Sequence, residues 1–311
     1  MSMTNRSANI SMGSAFGHAG EFLQGIVDDG GELKRVLVSI PAPGLRSRVI
    51  FMPSGGNELT VFPEWKQKSL RAFQLAWLQF SSTNPCGTLV IRSDIPVSRG
   101  LGSSTADCVA AIRAAGSHWN CKLRADQIAV LAHQAECFSD ATMFENRLVV
   151  FQHCEGRVHE YLDGAIPNLR LLIVEPSDGG YKVDTDTLVR PDYTKDEIRE
   201  FTECLTRFRR AAAANDTHEI ADIARISARI NQAYHPKQKR DEVERIAADT
   251  DALGVAIAHS GDMQILLYLP GSLSEQKLRR VSDELDRVGM RCWQTLSTIS
   301  EPQTANIPSC V

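Results

Sequence analysis

The sequence predicts an α+β chain in two halves that meet near residues 160–170. Up to that point, short runs of β-branched and aromatic residues alternate with segments of helical period. Beyond it, one buried-type strand is followed by three amphipathic helices in a row, a pair of strands, a further helix and a closing strand. The length of 311 residues also exceeds the ~100–200 usual for one domain, so domains spanning 1–165 and 166–311 are expected.

Each element has its own signal. Val36 to Ile40 and Arg48 to Met52 read as strands, with Pro41, Pro43 and Gly44 marking a turn between them. Leu59 to Phe62 is a third run. Leu70, Phe73, Trp77 and Phe80 fall on one helical face, and Thr88 to Arg92 is again a strand. A Gly/Ser-rich stretch then opens an Ala/Val/Ile-rich helix that ends near Gly116. A second helix aligns Ile128, Leu131, Ala132 and Ala135, and Leu148 to Phe151 with Arg157 to Tyr161 flank a turn at Glu155-Gly156.

In the second half, Leu169 to Val174 is a strand. Ile198, Phe201, Leu205 and Phe208 define a helix with a Thr194/Glu197 capping box. Ile220, Ile223 and Ile230 define the next, capped at Asp216/Glu219, and Arg240 to Thr250 the third. Val255 to Ala258 and Gln264 to Tyr268 are strands around His259-Ser-Gly-Asp-Met263. Leu278, Val281, Leu285 and Val288 form a stripe capped by Ser272/Glu275 and stopped at Gly289, and Cys292 to Leu296 is the closing strand.

Composition narrows the function classes. Hydrophobic residues make up 43% and charged residues 23%, as in a globular protein rather than a disordered one. The 34 Lys and Arg against 38 Asp and Glu give a net charge of −4, which lacks the broad positive field of a dedicated nucleic-acid binder. No apolar run reaches the ~20 residues of a membrane span. The eight cysteines are scattered, with no C-x-x-C pair, and read as buried thiols of a reducing cytosol rather than as disulfides or a zinc site. Met1 to Gly13 is polar and reads as a disordered start, not a secretory signal. His133 and Cys137, four residues apart, read as packing residues, and Lys237 to Arg240 as a solvated helix start.

The segment that carries chemistry is Pro96-Val-Ser-Arg-Gly-Leu-Gly-Ser-Ser-Thr-Ala106, set between a strand and a helix. Gly100 and Gly102 permit positive φ and close backbone approach, so successive N–H groups can point at one anion, and the helix start adds its partial positive charge. Ser103 and Ser104 add hydroxyls. The loop suits a polyphosphate, yet it is not a Walker A loop, a dinucleotide fingerprint or a hydrolase elbow, because each lacks a required residue here. Read without further context, two glycines and two serines before a helix also describe an ordinary tight turn and N-cap.

Pro96-x-x-x-Gly-Leu-Gly-Ser-Ser-x-Ala106 closely resembles the ATP loop of the GHMP kinase superfamily, which includes galactokinases, homoserine kinases and mevalonate kinases. Gly17-His-Ala-Gly-Glu-Phe-Leu-Gln-Gly25 resembles the N-terminal signature of that superfamily. Ala258-His-Ser-Gly-Asp262 lies where its third, glycine-rich motif belongs. The Gly-Glu-x-x-Gln-Gly run, Val38-Ser-Ile-Pro41 and Glu136-x-x-x-Asp140-x-x-x-Phe144 look most like the L-threonine kinases tied to cobalamin synthesis and propanediol use. Thr105 departs from the commoner alanine, the third motif has Gly261 as its single glycine, and the first lacks the lysine of some members. His18 reads as an incidental loop residue.

The resemblance implies a ribosomal protein S5 domain 2-like N-terminal domain and a ferredoxin-like C-terminal domain with the active site between them. It implies a cytoplasmic kinase that uses ATP and Mg²⁺ to phosphorylate a small alcohol, L-threonine first. Kinases of homoserine or mevalonate type, or a non-catalytic nucleotide sensor of the same fold, are the alternatives. Pro96, Arg99, Gly100, Leu101, Gly102, Ser103, Ser104 and Thr105 would bind the nucleotide. Ser104, chosen over Ser103, and Glu136 would hold Mg²⁺, and Asp140 would be the base. Glu21, Ser260 and Gly261 would meet the acceptor. The charges of an amino-acid acceptor could meet Glu21 (ammonium) and Arg99, Arg46 or Arg48 (carboxylate), although each arginine reads first as a solvated surface charge.

Overall fold

The computed structural model describes residues 9–180 and 190–298. Among the described residues, ten strands join into one sheet. β1 (Ser11–Asp29) and β2 (Glu32–Pro53) form a long antiparallel hairpin closed at Gly30-Gly31. β3 (Leu59–Phe62), α1 (Gln67–Trp77) and β4 (Gly87–Ser93) make a parallel crossover unit that docks β4 on β2. α2 (Ser103–His118) and α3 (Ala125–Glu136) follow, and β5 (Val149–Gln152) with β6 (Arg157–Tyr161) branches off β2.

The second half runs β7 (Arg170–Pro176), α4 (Lys195–Ala214), α5 (Thr217–Asn231), α6 (Arg240–Asp249), β8 (Gly254–Ile257), β9 (Gln264–Tyr268), α7 (Glu275–Arg287), β10 (Met290–Leu296). Its strand order is β10-β7-β9-β8, all antiparallel, which is the ferredoxin-like arrangement. A single pair, Glu21 with Ile257, joins β8 to β1.

The predicted elements reappear with four corrections. The start is a strand from Ser11, because the alternation of its side chains pairs with all of β2; residues 1–8 lie outside the described set. The expected Pro41–Gly44 turn is instead a bulge within one continuous strand. Phe16 faces Arg46 and Gly17 faces Ala42, so residues 43–45 are looped out. The helix expected to reach Phe80 ends at Trp77. The last helix is capped by Ser274, whose hydroxyl accepts the Lys277 N–H, not by Ser272. The Thr194/Glu197 box and the Asp216 cap form as expected. The seven described cysteines are free thiols, and Cys310 lies outside the described residues.

The break in sequence pattern near residue 165 is not a break in packing. β1 of the first half is covered by α4 of the second: Phe22 lies against Phe208 with ring centroids 5.9 Å apart, and a Cβ at Gly25 would sit 2.6 Å from the Phe201 ring. One core cluster runs from Ala15 to Leu267, and a smaller one, including Val243, Val281 and Leu285, lies under α6 and α7. Among the described residues no helix is long and apolar enough to cross a membrane.

Candidate active site

A cleft of about 530 Å³ opens between the N-terminus of α1, the 97–105 loop, the segment after α3, and the β8–β9 turn. Its lining includes Gly100, Gly102, Ser103, Ser104, Thr105, Glu136, Asp140 and Ser260, so most residues expected from sequence converge on one wall. The loop is held from both sides. His18 N–H donates to the Leu101 carbonyl at 3.2 Å, which ties the loop to β1. Gly100 has φ of 79°, and a Cβ there would lie 1.8 Å from the Ser260 carbonyl oxygen; one at Gly261 would lie 2.6 Å from the Arg99 carbonyl oxygen. The phosphate-type loop and the third motif therefore meet backbone to backbone, which glycine alone permits.

Gly102 caps α2 in the left-handed region without a side-chain cap bond. The first N–H groups of α2, at Ser103, Ser104 and Thr105, are those a helix leaves without intrahelical partners, and these residues line the cleft. Gly102 itself is needed for a different reason from the one sequence suggests. A Cβ there would meet His18 Cδ2 at 2.5 Å and Asp140 Oδ2 at 3.2 Å.

Glu136, the last residue of α3, is buried rather than on the surface, and so is Asp140. Ser104 Oγ donates to Glu136 Oε2 at 2.7 Å and Thr105 Oγ1 to Oε1 at 2.6 Å. Thr105 Oγ1 also accepts the Asp140 N–H at 3.2 Å, so the residue that departs from the family pattern ties the two acids together. Burial lifts the Glu136 carboxyl to about 8, against the pull of the two hydroxyls. A buried carboxyl with hydroxyl partners and little positive charge beside it is a hard oxygen donor set short of a cation, which fits Mg²⁺.

Asp140 behaves oppositely. Burial would raise its pKa, but His18, with Nε2 at 3.1 Å from Oδ2, together with His259 and His153, holds it well below the usual carboxylate range. His18 is itself buried. Burial alone would lower it, yet Asp140 and then Glu21 raise it to about 9. His18 is thus neither incidental nor on a loop; it sits in β1 and is ion-paired.

Other candidate residues lie away from the cleft lining. Glu21 is 2% exposed, and its oxygens receive the His259 N–H at 2.9 Å and face His259 Nδ1 at 3.1 Å, so it is closed to an ammonium. Arg99 points to Glu175 at 3.9 Å, Arg48 pairs with Asp94 and Arg46 lies over Phe16, all outside the cleft lining. Pro96, Leu101 and Gly261 shape the loops without lining the cleft, Leu101 being buried in the core. Lys237 and Arg240 are buried, not a solvated helix start. Lys237 Nζ donates to the Gly261 carbonyl at 2.5 Å, and burial lowers it to about 8 against the pull of Asp262 and Glu21.

Sequence reading missed the roles of His153 and His259, which line the cleft, of His18, which pairs with Asp140 behind it, and of Lys237, which holds the Gly261 carbonyl. The one available signal was His18 three residues before Glu21, and it fails in a regular strand, where i and i+3 face opposite ways. A bulge at Gly20, with φ of 70°, reverses this and brings His18 Nδ1 to 3.4 Å from Glu21 Oε1. Lys66 and Asp107, a buried ion pair that also lines the cleft, were missed as well.

Residues 68–145, which contain the loop, Glu136 and Asp140, match the GHMP kinases N terminal domain. The chain is 25% identical over 197 residues to the L-threonine kinase of Citrobacter freundii, covering 60% of this chain and 67% of that protein. It is 26% identical over 199 residues to that of Salmonella typhimurium, covering 61% and 65%, so it spans about two thirds of these relatives. A homoserine kinase of Staphylococcus haemolyticus is 25% identical over 255 residues, covering 79% and 80%. In structure, the chain is similar to homoserine kinase from Cytophaga hutchinsonii, with a TM-score of 0.68 at 16% identity over 96% of both chains. It is also similar to mevalonate kinase from Methanococcus jannaschii, with a TM-score of 0.66 at 16% identity over 94% and 99%.

Proposed function

The chain has the GHMP kinase fold and carries the N-terminal domain of those kinases, and from that premise we propose that it transfers the γ-phosphoryl group of ATP to the hydroxyl of a small amino acid, L-threonine before homoserine. Residues 1–165 supply the nucleotide loop and most of the cleft lining, and 166–311 supply His259 and Ser260 of the β8–β9 turn. The observation that carries this reading is the α2 N-terminus with Glu136 and Asp140, where unpaired helix N–H groups and two buried acids of opposite pKa shift line one cleft.

The α2 N–H groups and loop backbone bind the phosphates, and Ser104 with Glu136 would hold Mg²⁺. When bound, that ion offsets phosphate charge. Asp140 accepts a hydrogen bond from the acceptor hydroxyl and orients it in line. Its depressed pKa makes it a weak base, which suits a loose transition state in which the hydroxyl proton is lost late. The amino-acid reading draws on the relatives and on positive charge near the cleft lining. Arg190 lies over Phe138, which lines the cleft, and Arg35 and Arg190 both help depress the buried His153.

ADP release with L-threonine, L-serine, L-homoserine and mevalonate tests the proposal. Turnover is expected to be fastest with threonine, giving O-phospho-L-threonine, and Asp140→Asn to lower kcat by about 10²-fold or more while ATP binding stays within a few-fold. Stimulation by mevalonate alone refutes the acceptor class, and binding without product makes the chain a nucleotide sensor.

A further inference from the structure

We infer that Glu21, His18 and His259 form a closed frame whose task is to aim Asp140 at the cleft, an inference that rests on reading Asp140 as the group facing the acceptor hydroxyl. Glu21 anchors both rings. Its Oε1 lies 3.4 Å from His18 Nδ1 and 3.1 Å from His259 Nδ1, and its Oε2 accepts the His259 backbone N–H at 2.9 Å. The far nitrogens of the rings turn to the two oxygens of Asp140: His18 Nε2 to Oδ2 at 3.1 Å and His259 Nε2 to Oδ1 at 3.8 Å. Two carboxylates and two imidazoles thus alternate around a ring, with the rings stacked at 6.1 Å and 20°.

A carboxylate accepts and does not donate, so an imidazole between two of them is bound best with both nitrogens protonated. The frame then sets His18 Nε2 against one oxygen of Asp140 and His259 Nε2, farther off, towards the other, which favours the ionised carboxylate and one orientation of it. Its parts come from three places: the bulged start of the chain, the segment after α3, and the β8–β9 turn. This gives the third motif, with its single glycine, a task beyond meeting the acceptor, since its histidine joins the second half of the chain to the acid of the first. The groups facing His259 are Glu21, Asp140, His18 and His153, whose ring lies 6.0 Å away.

The same four side chains could serve a divalent transition metal, their donor atoms lying within 4.8 Å of one another. Each ring nitrogen faces a carboxylate oxygen at 3.1–3.8 Å, so opposite charges can close the ring without a cation.

The test compares Glu21→Gln, His259→Gln, Asp140→Asn and the Glu21→Gln/Asp140→Asn double variant. Glu21→Gln is expected to lower kcat about 10²-fold with KM for ATP within twofold, as misplacement of a reacting group does, and the double variant to be no slower than Asp140→Asn alone. Glu21→Gln within twofold of wild type in kcat, or losses that multiply in the double variant, overturns the frame. If Glu21→Gln does not fold, His259→Gln carries the same comparison. An acceptor-independent reading comes from ¹⁵N-histidine NMR at pH 7.5. The His18 ring is expected to be doubly protonated in wild type and to lose that state in Asp140→Asn. A neutral His18 ring in wild type, or a stoichiometric transition metal in the purified protein, refutes the frame. Failure of every alcohol as acceptor, with the NMR result intact, refutes the kinase reading instead.

Discussion

Thr105 shows how one side chain sets the character of two acids. Its hydroxyl donates to Glu136 and accepts from the Asp140 backbone, so it fixes the distance between the cation-binding acid and the acceptor-facing acid. Thr105→Ala, the residue more common in the family pattern, removes both bonds from a buried site. The expected cost is about 1–3 kcal/mol of stability, seen as a lower Tm. An unchanged Tm would show that Ser104 alone satisfies Glu136. From sequence, this threonine read as a harmless departure, because its partners lie more than 30 residues away and become neighbours only when α2 and α3 pack.

At the scale of elements, function depends on two turns touching through their backbones. Gly100 and Gly271 both have φ near 80°, but a Cβ at Gly100 meets the Ser260 carbonyl, whereas nothing lies within 4 Å at Gly271. The pair separates backbone strain from steric contact. Gly271→Ala is expected to cost about 1–2 kcal/mol and leave nucleotide binding unchanged. Gly100→Ala must also push the loop from the β8–β9 turn, and calorimetry is expected to show ATP affinity reduced at least tenfold. Equal affinity in the two variants would separate the loop–turn contact from nucleotide binding. The loop was legible because its glycines and serines are consecutive. The bulge at Gly20 was not, because it exists only relative to the register of β2.

For the whole molecule, buried ionisable groups make stability depend on pH from two sides. His153 and His235 are lowered by burial, and then by neighbouring positive groups, to about 3 and about 4. Unfolded, they take up protons below their ordinary 6.5, so stability rises with pH from about 4 to 6.5. His18, raised to about 9, acts in reverse: its contribution is complete below 6.5 and is lost as pH climbs to 9. Glu136, raised to about 8, likewise loses stability between about 4.5 and 8, so it opposes the two histidines on the acid side and adds to His18 above. Lys237, lowered to about 8, gives some back only above that pH. The Tm of the metal-free protein is expected to peak near pH 6.5–7 and to fall on both sides, with a shallower alkaline fall in His18→Gln. A Tm that climbs steadily to pH 9 would contradict this assignment of protons.

The sequence by itself determined the alternation of helices and strands, the order of the second-half elements and the Gly100–Thr105 loop, because these depend on periodicity and on residues adjacent in the chain. It also pointed to Glu136 and Asp140 as acids close together at a helix end. Only the tertiary structure decided which charges face the cleft. It turned Arg46, Arg48 and Arg99 away, closed Glu21 off with histidine, and buried Lys237 beneath the third motif. Periodicity reports which face of an element is apolar, whereas the partner of a buried charge is chosen by how distant elements pack against each other.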